Sequence, residues 1–288
     1  MNRFIFICAI IILKCLLSNY LGAQNADSST NKLASGNARI ENAKNLFLQF
    51  GFGGSLFNVR DKSTSPLIYS GSMVSGNIGL YYFSDRSYYS IDECFSYGNL
   101  GTRNYPEIEN SRADSYNNFF QVNFLWRLNH FKSKYYRYYL GTHLDLISNF
   151  RNNQKFNNAN LNYEIMMGIG PSFCVYHQFQ LRDLKNRTMA VTATLNIPLL
   201  IPVLRPQYNV VGDFVAGKHQ VEISNTQLKF INKLFAPNLN LQMYYFLRNK
   251  NALKISYFWN FYRYDPGFNA VNAVNSTLTF SFLYRFNK

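Results

Sequence analysis

From Leu46 onward the chain alternates apolar and polar residues over strand-length stretches, a period-2 pattern that gives each strand two unlike faces. The last stretch is the clearest: Leu278, Phe280, Phe282, Tyr284 and Phe286 alternate with Thr277, Thr279, Ser281, Leu283 and Arg285. Met189, Val191, Ala193, Leu195 and Ile197 divide in the same way from Thr188, Ala190, Thr192, Thr194 and Asn196. So do Leu239, Leu241, Met243 and Tyr245 from Asn238, Asn240, Gln242 and Tyr244, and Leu253, Ile255, Tyr257 and Trp259 from Lys254, Ser256 and Asn260. The pattern predicts strands near 46–58, 70–84, 87–99, 115–130, 135–150, 161–181, 187–200, 237–248, 252–264 and 275–287.

Several of these stretches exceed the five or six residues usual in soluble sheets and suit tilted strands crossing a hydrocarbon layer. Connections two, four, six and eight are short (Ser84 to Ser87, Phe131 to Lys134, Arg182 to Arg187, Arg248 to Asn251), whereas 59–69, 100–114, 151–160, 201–236 and 265–274 are longer. Short turns on one side and long loops on the other are expected of a membrane barrel. The fold class read here is all-β: a transmembrane antiparallel up-and-down β-barrel of about ten strands. A count of twelve stays open, because Tyr208 to Val215 and Gln220 to Thr226 flank a turn-like Ala216-Gly217-Lys218-His219 within 201–236. A soluble β-sandwich also alternates. It would carry charges on its polar face, whereas here that face is mostly Ser, Thr, Asn, Gln, Gly and Tyr. Tyr81-Tyr82, Tyr88-Tyr89 and Tyr135-Tyr136 fall near strand ends, where aromatic girdles meet a lipid–water boundary.

Composition sharpens this picture. The 288 residues include 26 Phe, 22 Tyr and 2 Trp but only 15% charged side chains, which excludes a disordered chain or a coiled coil. Residues 1–23 read as a secretory signal peptide: Arg3, an apolar stretch from Phe4 to Leu17 broken by Lys14, then a small residue at Ala23. Residues 24–44 read as a flexible polar segment, and 45–288 as the barrel. Loss of the signal removes two bases and no acid, lowering the formal net charge from +14 to +12. In an exported chain whose bases are scattered through turns, that surplus points to anionic lipid headgroups and not to nucleic acid. Of the four cysteines, Cys94 and Cys174 remain; their separation in sequence favours two free thiols over a bridge.

The stretch from Leu46 to Lys288 resembles bacterial outer-membrane β-barrel proteins. Its ending, Phe280, Phe282, Tyr284 and Phe286, is similar to the C-terminal aromatic signal read by the barrel-assembly machinery, with Asn287 and Lys288 following the last Phe. The abundant Asn, Tyr and Phe and the Ala23-Gln24 junction resemble barrels of Bacteroidota-type bacteria. The resemblance implies residence in the outer membrane of a Gram-negative bacterium, among lipids and lipopolysaccharide.

With the apolar face toward lipid, Asp92, Arg127, Arg137, His143, Asp145 and Glu164 face the lumen and form its expected polar network, Arg127 and Arg137 pairing with the carboxylates. His143 and Asp145, two residues apart, share a face and are the weak candidates for general-base chemistry, with Ser172 or Glu164 nearby. An i, i+2 His/Asp pair is common by chance, and the structural role is the stronger expectation. No CxxC, HExxH, Walker or EF-hand pattern occurs, so no metal or cofactor is expected. Glu93 falls on the lipid face beside Ile91 and Phe95, which suggests a bulge or register shift there. The leading functional expectation is a non-enzymatic barrel with a structural, adhesion or secretion-accessory role through its loops and an external or periplasmic protein partner. A small passive pore and an outer-membrane hydrolase using His143 and Asp145 are the alternatives.

Overall fold

The computed structural model describes residues 45–286, apart from 63–66, 85, 103–111, 130–132, 134–135, 154–160, 182–186, 206–226 and 268. The expected signal peptide, the polar segment 24–44, the Ala216 to His219 turn and Asn287-Lys288 lie outside the described residues. The described chain is all-β. Its strands are β1 (Asn45–Asp61), β2 (Ile68–Phe83), β3 (Ser87–Thr102), β4 (Ala113–Arg127), β5 (Tyr136–Asn152), β6 (Leu161–Leu181), β7 (Arg187–Asn196), β8 (Leu200–Leu204), β9 (Gln227–Phe230), β10 (Leu234–Phe235), β11 (Asn238–Phe246), β12 (Ala252–Tyr264) and β13 (Val271–Arg285).

β7 and β8 run on as one interrupted stave, as do β9, β10 and β11, so ten staves make up the wall. Each pairs antiparallel with its chain neighbour, β5 pairs with β6, and β13 returns to β1 through a continuous ladder from Phe47↔Arg285 to Asp61↔Val271. The sheet therefore closes on itself. Closure leaves the sheet no free edge along β1 and β13, which is what allows a sheet to sit in hydrocarbon. The twelve-strand count is corrected: β8 pairs directly with β9 (Leu200↔Phe230 to Val203↔Gln227), which leaves no place in the wall for an intervening hairpin.

The alternation predicted from sequence holds around the barrel. On β13, Thr277, Thr279, Ser281 and Leu283 are buried in the lumen while Leu278, Phe280, Phe282 and Tyr284 stand outside. Phe52 and Val74, 73% and 76% exposed, belong to the same outward apolar belt. In a soluble protein so large an apolar surface would be a liability; against lipid it is the matching surface. The lumen holds one apolar cluster toward the long-loop end, including Phe57, Val59, Leu100, Ile201 and Tyr262, and another toward the short-turn end, including Phe47, Tyr81, Leu125, Tyr244 and Leu283.

Three expectations change. Strands reach further toward the long-loop end than their polarity suggested: β1 continues to Asp61, β5 to Asn152 and β8 to Leu204. The short turn expected at 131–134 spans 128–135, as long as the 153–160 loop, so the strict alternation of connection lengths weakens there. No bulge occurs at Glu93, where Ile78↔Glu93 and Glu93↔Phe120 are ordinary ladder positions. The irregularity lies instead at Ile197-Pro198-Leu199, where proline withholds a ladder donor. Inward parity changes there, from Thr194 and Asn196 to Ile201 and Val203. Gly170 opposite makes room, since a Cβ there would lie 2.1 Å from the Ile197 carbonyl oxygen.

Gly141 sits at another close approach: a Cβ on it would lie 1.9 Å from the Phe124 carbonyl oxygen and 2.9 Å from the Leu125 Cα. Backbone atoms of a laddered strand cannot swing aside, so Gly141→Val is expected to lower unfolding stability in urea by about 1–3 kcal/mol. An unchanged midpoint would contradict the packing described for β4 and β5.

Candidate functional site: the polar interior

Side chains cross the lumen at three levels, and each level contains a bond between strands that are not neighbours in the wall: β1 to β5, β4 to β11 and β2 to β12. At the long-loop end, Asp61 from β1, Arg151 from β5, Glu164 from β6 and Arg205, directly after β8, form a buried ionic clamp. Arg151 Nη2 lies 2.8 Å from Asp61 Oδ2 and 2.6 Å from Glu164 Oε1. Arg205 bonds Asp61, its Nε lies 3.8 Å from Glu164 Oε1, and its Nη1 donates to the Asn269 carbonyl at 2.6 Å. Tyr262 on β12 donates its hydroxyl hydrogen to Glu164 and accepts from Asn149 at 2.9 Å. Two carboxylates meet two guanidinium groups, so the clamp is neutral and holds no charge without a counter-charge.

The middle level is a sheet of amides around Asp145. Gln121 on β4 donates to Asp145 Oδ1 at 2.9 Å and to Asn238 Oδ1 at 3.0 Å. Asn238 on β11 donates to Asp145 Oδ2 at 2.8 Å, and Asn196 donates to Asn238 at 2.9 Å. Asn123 extends the sheet to Ser90 and Gln121, and Ser172 reaches Asn123 Oδ1 at 3.5 Å. At the short-turn end, Lys254 on β12 donates to the Tyr81 hydroxyl at 2.5 Å and lies 4.2 Å from the centre of that ring. Tyr81 in turn bonds Asp92. Between these levels the Phe119 and Phe258 rings meet at 4.4 Å from opposite walls. Two interior cavities, of about 40 and about 10 Å³, lie between the levels, the larger lined by Asp92, Gln121 and Lys254.

The six residues expected to form one network are divided among levels. Glu164 joins the upper clamp, His143 and Asp145 the middle, and Asp92 the lower. Arg127 and Arg137 do not serve as the partners of these carboxylates. The register places Arg137 eight residues below Asp145 on β5, roughly 26 Å along the strand at the usual rise, where its guanidinium lies 5.7 Å from the Tyr176 ring centre. Arg127 pairs in the ladder with Tyr139 at the same end. Arg151, Arg205 and Lys254 take the expected role instead. Arg151, Arg205 and Asp61 fall in the connections that the polarity pattern predicts, yet the parity of Phe57-Val59-Asp61, Ile147-Asn149-Arg151 and Ile201-Val203-Arg205 carries all three into the lumen.

His143 and Asp145 are brought together, with His143 Nε2 3.3 Å from Asp145 Oδ2, but not as a catalytic dyad. Both carboxylate oxygens are engaged by Gln121 and Asn238, and neither ring nitrogen of His143 makes a hydrogen bond. A base needs an oriented imidazole and a path to substrate. This ring is 1% exposed in the middle of the lumen. Among the described residues no group of three His, Cys, Asp or Glu could hold a metal ion, and Cys94 and Cys174 are free thiols. Phe280, Phe282 and Tyr284 project outward from β13, and the Phe286 amide bonds the Leu46 carbonyl at 3.0 Å, tying the chain's end to β1.

No family model and no curated protein matches the sequence. Solved structures resemble the barrel. The outer membrane protease OmpT from Escherichia coli gives a TM-score of 0.47 at 9% identity, covering 84% of this chain and 97% of that one. Neisserial surface protein A gives 0.35 at 11% identity, covering 84% and 97%. The Pseudomonas putida toluene transporter TodX gives 0.30 at 8% identity, covering 85% and 90%. The described chain is a closed antiparallel β-barrel with an apolar exterior, of the transmembrane kind. That statement rests on its own closed sheet and apolar exterior, and likenesses at these scores say nothing of what it does.

The middle level makes a clear prediction. Asp145→Leu strands donors of Gln121 and Asn238 in the interior and is expected to cost about 1–3 kcal/mol in urea unfolding. His143→Leu removes a ring whose nitrogens bond nothing and is expected to be neutral or stabilising. The reverse ranking would mean that the imidazole, not the carboxylate, organises this level.

Proposed function

We propose that the chain is a closed outer-membrane anchor of a Gram-negative bacterium, working through what its external loops and rim present and not through its lumen. The observation that supports this most is the clamp of Asp61, Arg151, Glu164 and Arg205, which crosses the interior at the end where a solute would enter. Beneath it, the amide level and the Lys254–Tyr81–Asp92 level cross the barrel twice more. Among the described residues, the cavities between these levels, of about 40 and about 10 Å³, have room for isolated waters and not for a hydrated solute. A passive pore is therefore the weaker reading, and a hydrolase would need substrate to reach the enclosed His143.

The wall is built to hold position. Its interior charges are paired across the lumen, and its longest connection, residues 205–226 between β8 and β9, leaves from the clamp itself at Arg205. That arrangement is compatible with a structural, adhesion or secretion-accessory role, with an external or periplasmic protein as the partner in this reading. Arg60 and Arg263 stand outward at the long-loop ends of β1 and β12, Arg263 with its guanidinium 3.9 Å from the Asp265 carboxylate, and in this reading they lie at headgroup height near the anionic groups of lipopolysaccharide. Insertion by the barrel-assembly machinery through the Phe280 to Phe286 ending belongs to the same proposal.

Planar bilayer recording of the purified, refolded protein tests it. The expected result is no stepwise conductance at moderate voltage. Steady single-channel steps that survive deletion of 206–226 would overturn the closed-anchor reading in favour of a pore.

A further inference from the structure

The short-turn end of the wall carries a cationic recess beside the lipid-facing belt. An open cavity of about 320 Å³ lies between the β11–β12 turn and the end of β13, lined by the turn residues Arg248 to Asn251 and by Tyr284, Arg285 and Phe286. That volume is in the range of ligand pockets, about 300–1,000 Å³. Three of these lining residues are cations and none is an acid. The turn is held in shape: the Leu247 amide donates to the Asn251 carbonyl at 2.8 Å and the Lys250 amide to the Leu247 carbonyl at 3.1 Å. Asn251 Oδ1 accepts from the Arg285 amide at 3.0 Å, which fixes the turn to β13. Arg285 Nε is buried and makes no hydrogen bond with any described residue, and a donor of a charged group is costly to bury without an acceptor. Lys250 has a φ of 66°, in the left-handed region where glycine or asparagine is under less strain, and it adds a cation to the recess. Tyr284 and Phe286, each 49% exposed, form the other wall, their rings meeting edge-on at 5.6 Å in line with outward Phe280 and Phe282. An occupant therefore meets cations on one side and lipid-facing rings on the other.

We propose that this recess binds the phosphodiester of an anionic phospholipid in the periplasmic leaflet. The proposal rests on the reading of the chain as an outer-membrane barrel, which sets the short-turn end at that leaflet. A phosphodiester brings acceptor oxygens to Arg285 Nε, Arg248 and Lys250, and guanidinium groups match phosphate oxygens in geometry as well as charge. Free phosphate would use the cationic wall alone. A phospholipid uses both walls, with its acyl chains lying along outward Tyr284 and Phe282 on β13. No lining carboxylate is present to meet the ammonium of a zwitterionic headgroup, so the recess favours a headgroup of net negative charge. Basic pockets at a membrane face recognise anionic headgroups by this same chemistry. The site lies at the other end of the wall from Arg60 and Arg263, and so apart from any contact they make with lipopolysaccharide.

The test is native mass spectrometry of the refolded full chain released from detergent micelles that contain phosphatidylglycerol or phosphatidylcholine, with and without an excess of inorganic phosphate. Heat-modifiable gel mobility and insertion into liposomes are checked separately on each protein, so a failure of the membrane reading is told apart from a failure of the site. Phosphatidylglycerol should stay bound in preference to phosphatidylcholine and resist displacement by inorganic phosphate. Arg248→Gln and Lys250→Gly should each weaken its retention by about fivefold. The glycine suits the positive φ of that position, so this variant removes the charge without straining the turn. Lys62→Gln, which removes an exposed cation at the opposite end of the wall, should leave retention unchanged. A folded barrel that holds the two lipids equally, or whose retention of phosphatidylglycerol is the same in both turn variants, would overturn the proposal. Displacement of the lipid by inorganic phosphate would make the recess a site for the free anion and overturn it equally.

Discussion

The closure of β13 onto β1 is the constraint from which the rest of the molecule follows. A sheet with two free edges cannot lie in hydrocarbon, because its unpaired N–H and C=O groups have no solvent to turn to. Once the ladder is continuous around ten staves, each strand must give one face to lipid and the other to a narrow lumen. The lipid face is settled by apolar bulk. The lumen is harder, since it is too crowded for bulk water and still receives every inward charge of the wall. Those charges are satisfied by other inward side chains: Asp61 and Glu164 by Arg151 and Arg205, Asp145 by the neutral amides of Gln121 and Asn238, and Asp92 by the Tyr81 hydroxyl beside Lys254. Removing one partner of such a group leaves the other buried and uncompensated, which gives the interior its hold on the wall.

Which face each residue occupies was legible in the sequence; how high it sits was not. Alternation is a local, two-residue signal, so the inward set, the outward belt and the outward Glu93 could be read from it, whereas the choice between ten and twelve staves needed the direct pairing of β8 with β9. Height in the barrel depends on the register between strands, which is fixed by pairings between residues far apart in the chain. For that reason Arg127 and Arg137 were matched with carboxylates that the register carries far away from them. The strand ends near the long loops were read short because they are polar. Asp61, Arg151 and Arg205 look like loop residues until the lumen is known to need them. The change of parity at Pro198 was marked by the proline, but its meaning depended on Gly168 and Gly170 standing opposite.

The same accounting separates the two polar regions that face in different directions. Inside, amides and carboxylates meet partners from across the lumen, and the barrel becomes a rigid, occupied cylinder whose shape does not depend on a ligand. Outside, the polar side chains of Glu93 and Asn118 meet each other, Asn118 Nδ2 donating to Glu93 Oε1 at 3.1 Å.

The central claim, that buried charges pairing across the lumen hold this barrel in its closed form, is tested most directly by a double-mutant cycle on Arg151 and Glu164. Unfolding free energies of the wild type, Arg151→Met, Glu164→Gln and the double variant in lipid vesicles give the coupling between the two side chains. Each single variant should cost about 3–5 kcal/mol and the double variant clearly less than the sum. A coupling near zero, with the two losses simply adding, would contradict the account.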